Sequence, residues 1–168
     1  PILTPSLSNR LAKGGLGASE SAIKNSAINK GKIDILTIGV STGGPNALAE
    51  LLPLIPGNLP VPVVLVQHMP PFFTKLLADR LNEKCKLSVK EGKPQQKIEP
   101  GTIWIAPGNF HMVLSKNGMA VTINTNQAQL ENSCRPAVDV LFRSVCEIYK
   151  ARTLGIILTG MGQDGLIG

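Results

Sequence analysis

Residues 33–44 read Ile33-Asp34-Ile35-Leu36-Thr37-Ile38-Gly39-Val40-Ser41-Thr42-Gly43-Gly44, and this stretch decides the fold. From Ile33 to Val40 the chain is apolar at nearly every residue rather than at every second one. That is the mark of a strand buried on both faces, as in a parallel sheet covered by helices. The Gly-rich turn that follows leads into a segment with helical spacing, Asn46–Leu52, which ends at Pro53.

Working outward, Val61–Gln67 is a second buried strand. Pro71–Glu83 is amphipathic, with Phe73, Leu76, Leu77 and Leu81 expected on one side. Lys86–Glu91 and Thr102–Ala106 read as further strands, the latter closed by Pro107-Gly108. His111–Leu114 and Met119–Ile123 flank Lys116-Asn117-Gly118, an Asn-Gly hairpin signal. Pro136–Tyr149 carries Val138, Leu141, Phe142, Val145 and Ile148 at helical steps, and Leu154–Leu158 is a last buried strand before the loop Thr159–Gly165. Strand and helix alternate, with one hairpin inserted. The expected fold is therefore α/β: doubly wound, mostly parallel, with helices on both faces and one antiparallel hairpin.

Composition agrees with one domain. The chain has 168 residues, 43% hydrophobic and only 4% aromatic, so its core is aliphatic. No apolar run reaches the roughly 18 residues of a membrane span, and no signal peptide is indicated, so membrane insertion is not expected. The net charge is +6, half of it within residues 1–30 and the rest scattered without aromatic interleaving, which gives no support for a nucleic-acid partner. Residues 1–31, rich in Ser, Asn, Lys, Gly and Ala, read as a linker or disordered arm with at most a weak helix at Ser19–Ile28. The domain proper is expected over residues 32–168. Cys85, Cys134 and Cys146 are odd in number and lack CxxC spacing, which argues against a disulfide framework and against a zinc site. Reduced thiols in a cytoplasmic protein are the plain reading, with Cys134 and Cys146 as small apolar fillers.

Gly39-Val40-Ser41-Thr42-Gly43 satisfies G-x-S-x-G directly after a buried strand and ahead of a helix, the context that a nucleophile elbow requires. Two other readings stay open. Ser41 or Thr42 caps the helix, or the Gly43-Gly44 loop cradles a phosphate in a nucleotide-binding module without hydrolase activity. Neither G-x-G-x-x-G nor G-x-x-x-x-G-K-[ST] is present to support the phosphate reading.

A serine hydroxyl needs a base to become a nucleophile, and the chain holds two histidines. His68 follows the strand Val61–Gln67 in a turn, at the same sheet edge as Ser41 if the strands are parallel. His111 opens a hairpin strand, where an imidazole packs more often than it reacts. The orienting carboxylate is expected in Thr159-Gly160-Met161-Gly162-Gln163-Asp164-Gly165, again past a strand's end. Asp139 competes but lies inside a helix, where solvation is the ordinary outcome, and Asp34 begins a strand at the far edge. Ser41, His68 and Asp164 each follow a separate buried strand. Their chain order differs from the Ser–Asp–His of α/β-hydrolases, which leaves open either a different triad fold or a fortuitous motif.

Five blocks in order bear on that choice: Gly39-Val40-Ser41-Thr42-Gly43-Gly44-Pro45, Gln67-His68-Met69-Pro70, Ile105-Ala106-Pro107-Gly108, Arg135-Pro136-Ala137-Val138-Asp139-Val140-Leu141-Phe142, and Leu158-Thr159-Gly160-Met161-Gly162-Gln163-Asp164-Gly165. Together, over residues 33–168, they resemble the catalytic domain of chemotaxis protein-glutamate methylesterases, the CheB family. The resemblance implies a doubly wound domain that hydrolyses glutamyl methyl esters on bacterial chemoreceptors, with receptor glutamine deamidation in some members. It implies Ser41 as nucleophile, His68 as base and Asp164 as orienting carboxylate, in the family's own order, with the Met161 backbone N–H at the oxyanion. It implies no metal or cofactor. Its partners would be methyl-accepting chemoreceptors, with an upstream receiver domain and a chemotaxis kinase in the parent protein. Cys134 stands where many members have histidine. The family continues past the Asp164 loop with further segments, so the domain is expected to be truncated at its C-terminus.

Overall fold

A computed structural model of the chain describes residues 31–168. The arm read at residues 1–31, with its weak helix, lies outside the described residues except for Gly31.

Five strands form one sheet: β1 (Ile35–Val40), β2 (Val63–Gln67), β3 (Ser88–Glu91), β4 (Thr102–Ile105) and, last in the chain, β7 (Thr153–Ile157). Their order is β3-β4-β2-β1-β7, and every pairing is parallel. β5 (His111–Asn117) and β6 (Ala120–Asn126) pair antiparallel as a separate two-stranded ribbon.

Period-two alternation sorts the strand residues between two cores. Ile38, Val40, Val63 and Leu65 face helices α1 (Gly44–Leu51) and α2 (Phe73–Asn82), with Leu48, Leu77 and Leu81 between them. Ile35, Val64, Val66 and Trp104 face helix α3 (Val138–Tyr149) and the ribbon, through Leu141, Phe142, Val145, Met112 and Ile123. Burial of each such aliphatic side chain stabilises the fold by about 1.5–3 kcal/mol. Both faces of β1, β2 and β4 are thus covered. β7, read from its apolar run as a buried strand, is instead an edge strand, with Leu154 and Ile157 47% and 51% exposed. β1 flanks it on one side only, and no helix among the described residues covers those side chains.

Three further expectations need correction. α2 buries Thr74, Leu77, Ala78 and Leu81, while Phe73 and Leu76 are 57% and 53% exposed. At roughly 100° per residue the buried four share one arc and Phe73 and Leu76 fall outside it; apolar character alone misassigned the face. Thr74 belongs inside because its hydroxyl donates to Glu91 at 2.6 Å and accepts from the Gly108 N–H at 3.1 Å. In the ribbon, Asn117 still pairs with Ala120, so the two-residue turn is Gly118-Met119, one position later than the Asn-Gly reading, with Gly118 at φ 60°. Finally, Cys146 is exposed and Cys134 half-buried, so neither fills the core. Cys146 lies on the outer side of α3, next to the buried Val145.

The chain leaves β1 over one face to β2 and reaches β7, on the other side of β1, through α3 on the opposite face. Strand order therefore reverses at β1. In open parallel sheets the crevice at such a switch point, outside the carboxyl ends of the strands, is where ligands bind. The loops after β2, β1 and β7 meet there.

Candidate active site

Backbone bonds first bring the three loops together. The Ser41 N–H donates to the Thr159 carbonyl at 2.8 Å, and the His68 N–H donates to the Val40 carbonyl at 3.1 Å. The Thr159 hydroxyl donates to the Thr42 carbonyl at 3.0 Å. Beneath them lies Gln67, only 2% exposed, whose amide N–H groups donate to the carbonyls of Ser41 and His68, both at 3.0 Å. Two glycines make the approach possible. Gly43 turns the chain out of β1 at φ 79°. At Gly160 a Cβ would lie 2.5 Å from the Ser41 Cβ, so only glycine lets the β7 loop pass the serine.

Within this frame the side chains form a continuous relay. His68 Nδ1 is 3.0 Å from Ser41 Oγ, and His68 Nε2 is 2.7 Å from Asp164 Oδ2. The imidazole is mostly shielded and the Asp164 carboxylate is 5% exposed. Asp164 takes more than the imidazole. Its Oδ2 also accepts the Val138 N–H at 2.7 Å, and its Oδ1 accepts the Asp139 N–H at 3.0 Å and an Asn132 amide N–H at 3.0 Å. The acceptor of the first α3 N–H groups is thus a carboxylate from a distant loop, since Ala137 at the N-cap position offers no side chain for it. Burial pushes the Asp164 carboxyl up, but the bonds from His68, Asp139, Val138 and Asn132 outweigh it and bring it down to about 2. Held ionised, Asp164 can only accept. The network therefore assigns the proton to Nε2 and leaves Nδ1 as acceptor for the Ser41 hydroxyl. The ring sense is the reverse of that in chymotrypsin-like triads.

Asp139 is not solvated. It is 1% exposed, and its Oδ1 accepts N–H bonds from Gly165 at 3.0 Å, Ile167 at 3.0 Å and Gly168 at 2.6 Å, while its Oδ2 accepts from Asn132 at 2.9 Å. It shapes the Asp164 loop from inside α3. His111 is equally buried and faces away from the relay: its Nε2–H donates to the Gln129 carbonyl at 2.9 Å and its Nδ1 accepts the Ala137 N–H at 3.2 Å. Asp34 sits at the opposite edge, paired with Arg152. Met161, Gly160 and Gly162 line the cleft over Ser41, with the Met161 side chain 81% exposed. Cys134 is 3.7 Å from His68 Nδ1. Burial, and after it the Asp164 charge, push its thiol up, so it stays protonated at neutral pH.

The sequence reading missed Asn132, Gln67 and the scaffolding use of Asp139. Only Gln67 left a signal, a polar residue closing an otherwise apolar strand beside His68. Asn132 serves two carboxylates, Asp139 at a separation of 7 residues and Asp164 at 32, and no local pattern announces that.

Fold and site together define a doubly wound α/β domain with a hydroxyl–imidazole–carboxylate relay at its switch point. Residues 36–168 match the family model of the CheB methylesterases. The chain is 57% identical over 137 residues to a protein-glutamate methylesterase/protein-glutamine glutaminase of Trichodesmium erythraeum, covering 82% of this chain and 39% of that protein. It is 52% identical over 144 residues to a protein of the same name from Desulfotalea psychrophila, covering 84% and 40%. Among solved structures it resembles the crystal structure of the Thermotoga maritima CheB methylesterase catalytic domain, with a TM-score of 0.79 and 44% identity, covering 82% of this chain and 72% of that one. The chain belongs to the CheB methylesterase family, and it spans about two fifths of the length of the curated relatives it matches.

Proposed function

We propose that this chain carries the hydrolytic centre of a protein-glutamate methylesterase that also deamidates glutamine, acting on chemoreceptors. The observation that carries the reading is the relay itself: Oγ of Ser41 at 3.0 Å from an imidazole nitrogen whose partner nitrogen is held at 2.7 Å by an ionised carboxylate. The names of the relatives supply the substrate class.

The chemistry runs in two steps. Ser41 Oγ attacks the glutamyl carbonyl carbon while His68 Nδ1 takes the hydroxyl proton. The imidazolium that forms is stabilised by Asp164. The tetrahedral oxyanion turns toward the Gly160–Gly162 backbone, where the family resemblance makes the Met161 N–H the donor; one such donor contributes about 3–4 kcal/mol. The intermediate collapses, Nδ1–H protonates the departing methoxide, and methanol leaves a glutamyl-Ser41 ester. Water, deprotonated by Nδ1, hydrolyses that ester to the free glutamate. A glutamine side chain follows the same path with ammonia as the leaving group. A methyl ester is activated enough that the relay needs no metal or cofactor.

In the wider protein the domain would work beside a receiver domain and a chemotaxis kinase. No helix among the described residues is long and apolar enough to cross a membrane. A cytoplasmic setting suits the free thiols of Cys85, Cys134 and Cys146. The test is methanol release from methylated receptor: Ser41→Ala should abolish it with the fold intact, and release retained in that variant overturns the reading.

A further inference from the structure

Cys134 has no part in the hydrolytic steps, yet its sulfur stands beside their base. The side chains of His68, Cys134 and Asp164 bring one potential metal-ligand atom each to within 4.8 Å of one another. They come from three loops far apart in the chain, so the spacing rule that argued against a zinc site does not see them.

The geometry is more specific than a cluster. Zinc binds thiolate sulfur at about 2.3 Å and imidazole nitrogen at about 2.0–2.1 Å in a tetrahedron. With Cys134 Sγ and His68 Nδ1 3.7 Å apart, an ion at those bond lengths subtends an S–metal–N angle of roughly 115°, close to tetrahedral. Nδ1 is also the unprotonated ring nitrogen, because Asp164 holds the proton on Nε2; its lone pair accepts the Ser41 hydroxyl, which a bound metal would displace. A carboxylate on the far nitrogen is the support that metal-binding histidines ordinarily have, fixing the ring and its tautomer. Asp164 is therefore placed behind the imidazole; its oxygens are already occupied by His68, Val138, Asp139 and Asn132. An entry path exists as well: a solvent-open hollow lined by His68, Met69, Pro70, Cys134, Arg135 and Pro136. The Arg135 guanidinium in that wall is turned to Asn109 Oδ1 and to the carbonyls of Gln127 and Ala128.

We propose that His68 Nδ1 and Cys134 Sγ form an inhibitory site for a thiophilic divalent cation of the Zn2+ class. On binding, the Cys134 thiol loses its proton to solvent and forms the metal–sulfur bond. The Nδ1 lone pair forms the metal–nitrogen bond, and water completes the coordination. The Ser41 hydroxyl then has no base, and the centre is silent until the metal is withdrawn. This rests on the hydrolytic reading of the same site. The soft sulfur ligand selects against Mg2+, which prefers oxygen donors.

The experiment follows labelling of Ser41 by a fluorophosphonate, with each protein normalised to its own metal-free rate. In the unmodified chain ZnCl2 should suppress labelling, EDTA should restore it, and MgCl2 should do nothing. Cys134→Ala and the near-isosteric Cys134→Ser should raise the half-inhibiting zinc concentration by roughly tenfold or more. Co2+ supplies a readout independent of reactivity. Bound at the site, it should give a thiolate-to-cobalt charge-transfer band in the near ultraviolet, absent from both Cys134 variants. If the metal-free chain fails to label at Ser41, the hydrolytic reading falls while the cobalt band still decides the site. Absence of the band, or zinc inhibition equal in all three proteins, overturns the proposal.

Discussion

The molecule holds its two histidines in regions that use an imidazole in opposite ways. At the switch point, His68 meets side chains: a serine hydroxyl on one nitrogen and a carboxylate on the other. Beside the ribbon, His111 meets only backbone: the Gln129 carbonyl on one nitrogen and the Ala137 N–H on the other. Both rings have both nitrogens satisfied, so hydrogen-bond count does not separate them. What separates them is whether the partners can change. A hydroxyl can give up its proton and a carboxylate can steady the resulting cation, whereas an amide and a carbonyl only hold the ring still. His111 links the ribbon to the start of α3; His68 links a hydroxyl to a charge.

The largest break in this comparison is His68→Ala. Removing the base should lower methanol release and Ser41 labelling by three orders of magnitude or more with the fold retained, read by kinetics beside circular dichroism. A loss under tenfold contradicts the assignment of His68.

Asp164→Asn comes next. An amide cannot hold the Nε2–H tautomer as an ionised carboxylate does, and a fall in turnover of roughly 10^3–10^4 is expected. The same variant sharpens a thermodynamic point. The folded carboxyl lies at about 2 against an ordinary 3.8, so its ionised form stabilises the fold at every pH above the ordinary value. That contribution, on the order of 2 kcal/mol, should be lost as pH falls from about 4 through about 2. Denaturant unfolding of the two proteins should therefore differ at pH 7 and converge near pH 2.

Gly160→Ala probes the frame rather than the reacting groups. Its Cβ would press on the Ser41 Cβ, displacing the hydroxyl by a fraction of an ångström to an ångström, and kcat should fall about 10^2-fold. Full activity in Gly160→Ala would mean that the two loops do not need their close approach. His111→Gln should have the smallest effect on chemistry. It weakens one or two buried bonds, costing about 1–3 kcal/mol of stability in chemical denaturation, while turnover per folded molecule stays within a few-fold.

The same contrast explains what was legible beforehand. Continuous apolar runs identify parallel strands, and this placed Ser41, His68 and the Asp164 loop at one edge without any distance. β1 and β2 are apolar because each is covered twice, whereas β7 carries the same kind of run at an exposed sheet edge, which apolar character alone does not reveal. The hidden parts depend on angle and on long-range contact. Phe73 and Leu76 are apolar but lie off the buried arc of α2, and Thr74 is polar but inside. Asp139 looked like a helix residue in water because its partners, at Gly165, Ile167 and Gly168, come from the far end of the chain. Cys134 read as filler because its neighbour His68 is 66 residues away.

The central claim is that Ser41 is the nucleophile activated by His68, and one measurement meets it directly. The chain is treated with a fluorophosphonate and the adduct is located by mass spectrometry. A single adduct on Ser41, abolished by prior inactivation at His68, is the predicted result. An adduct elsewhere, or none on Ser41 in the active protein, contradicts the account.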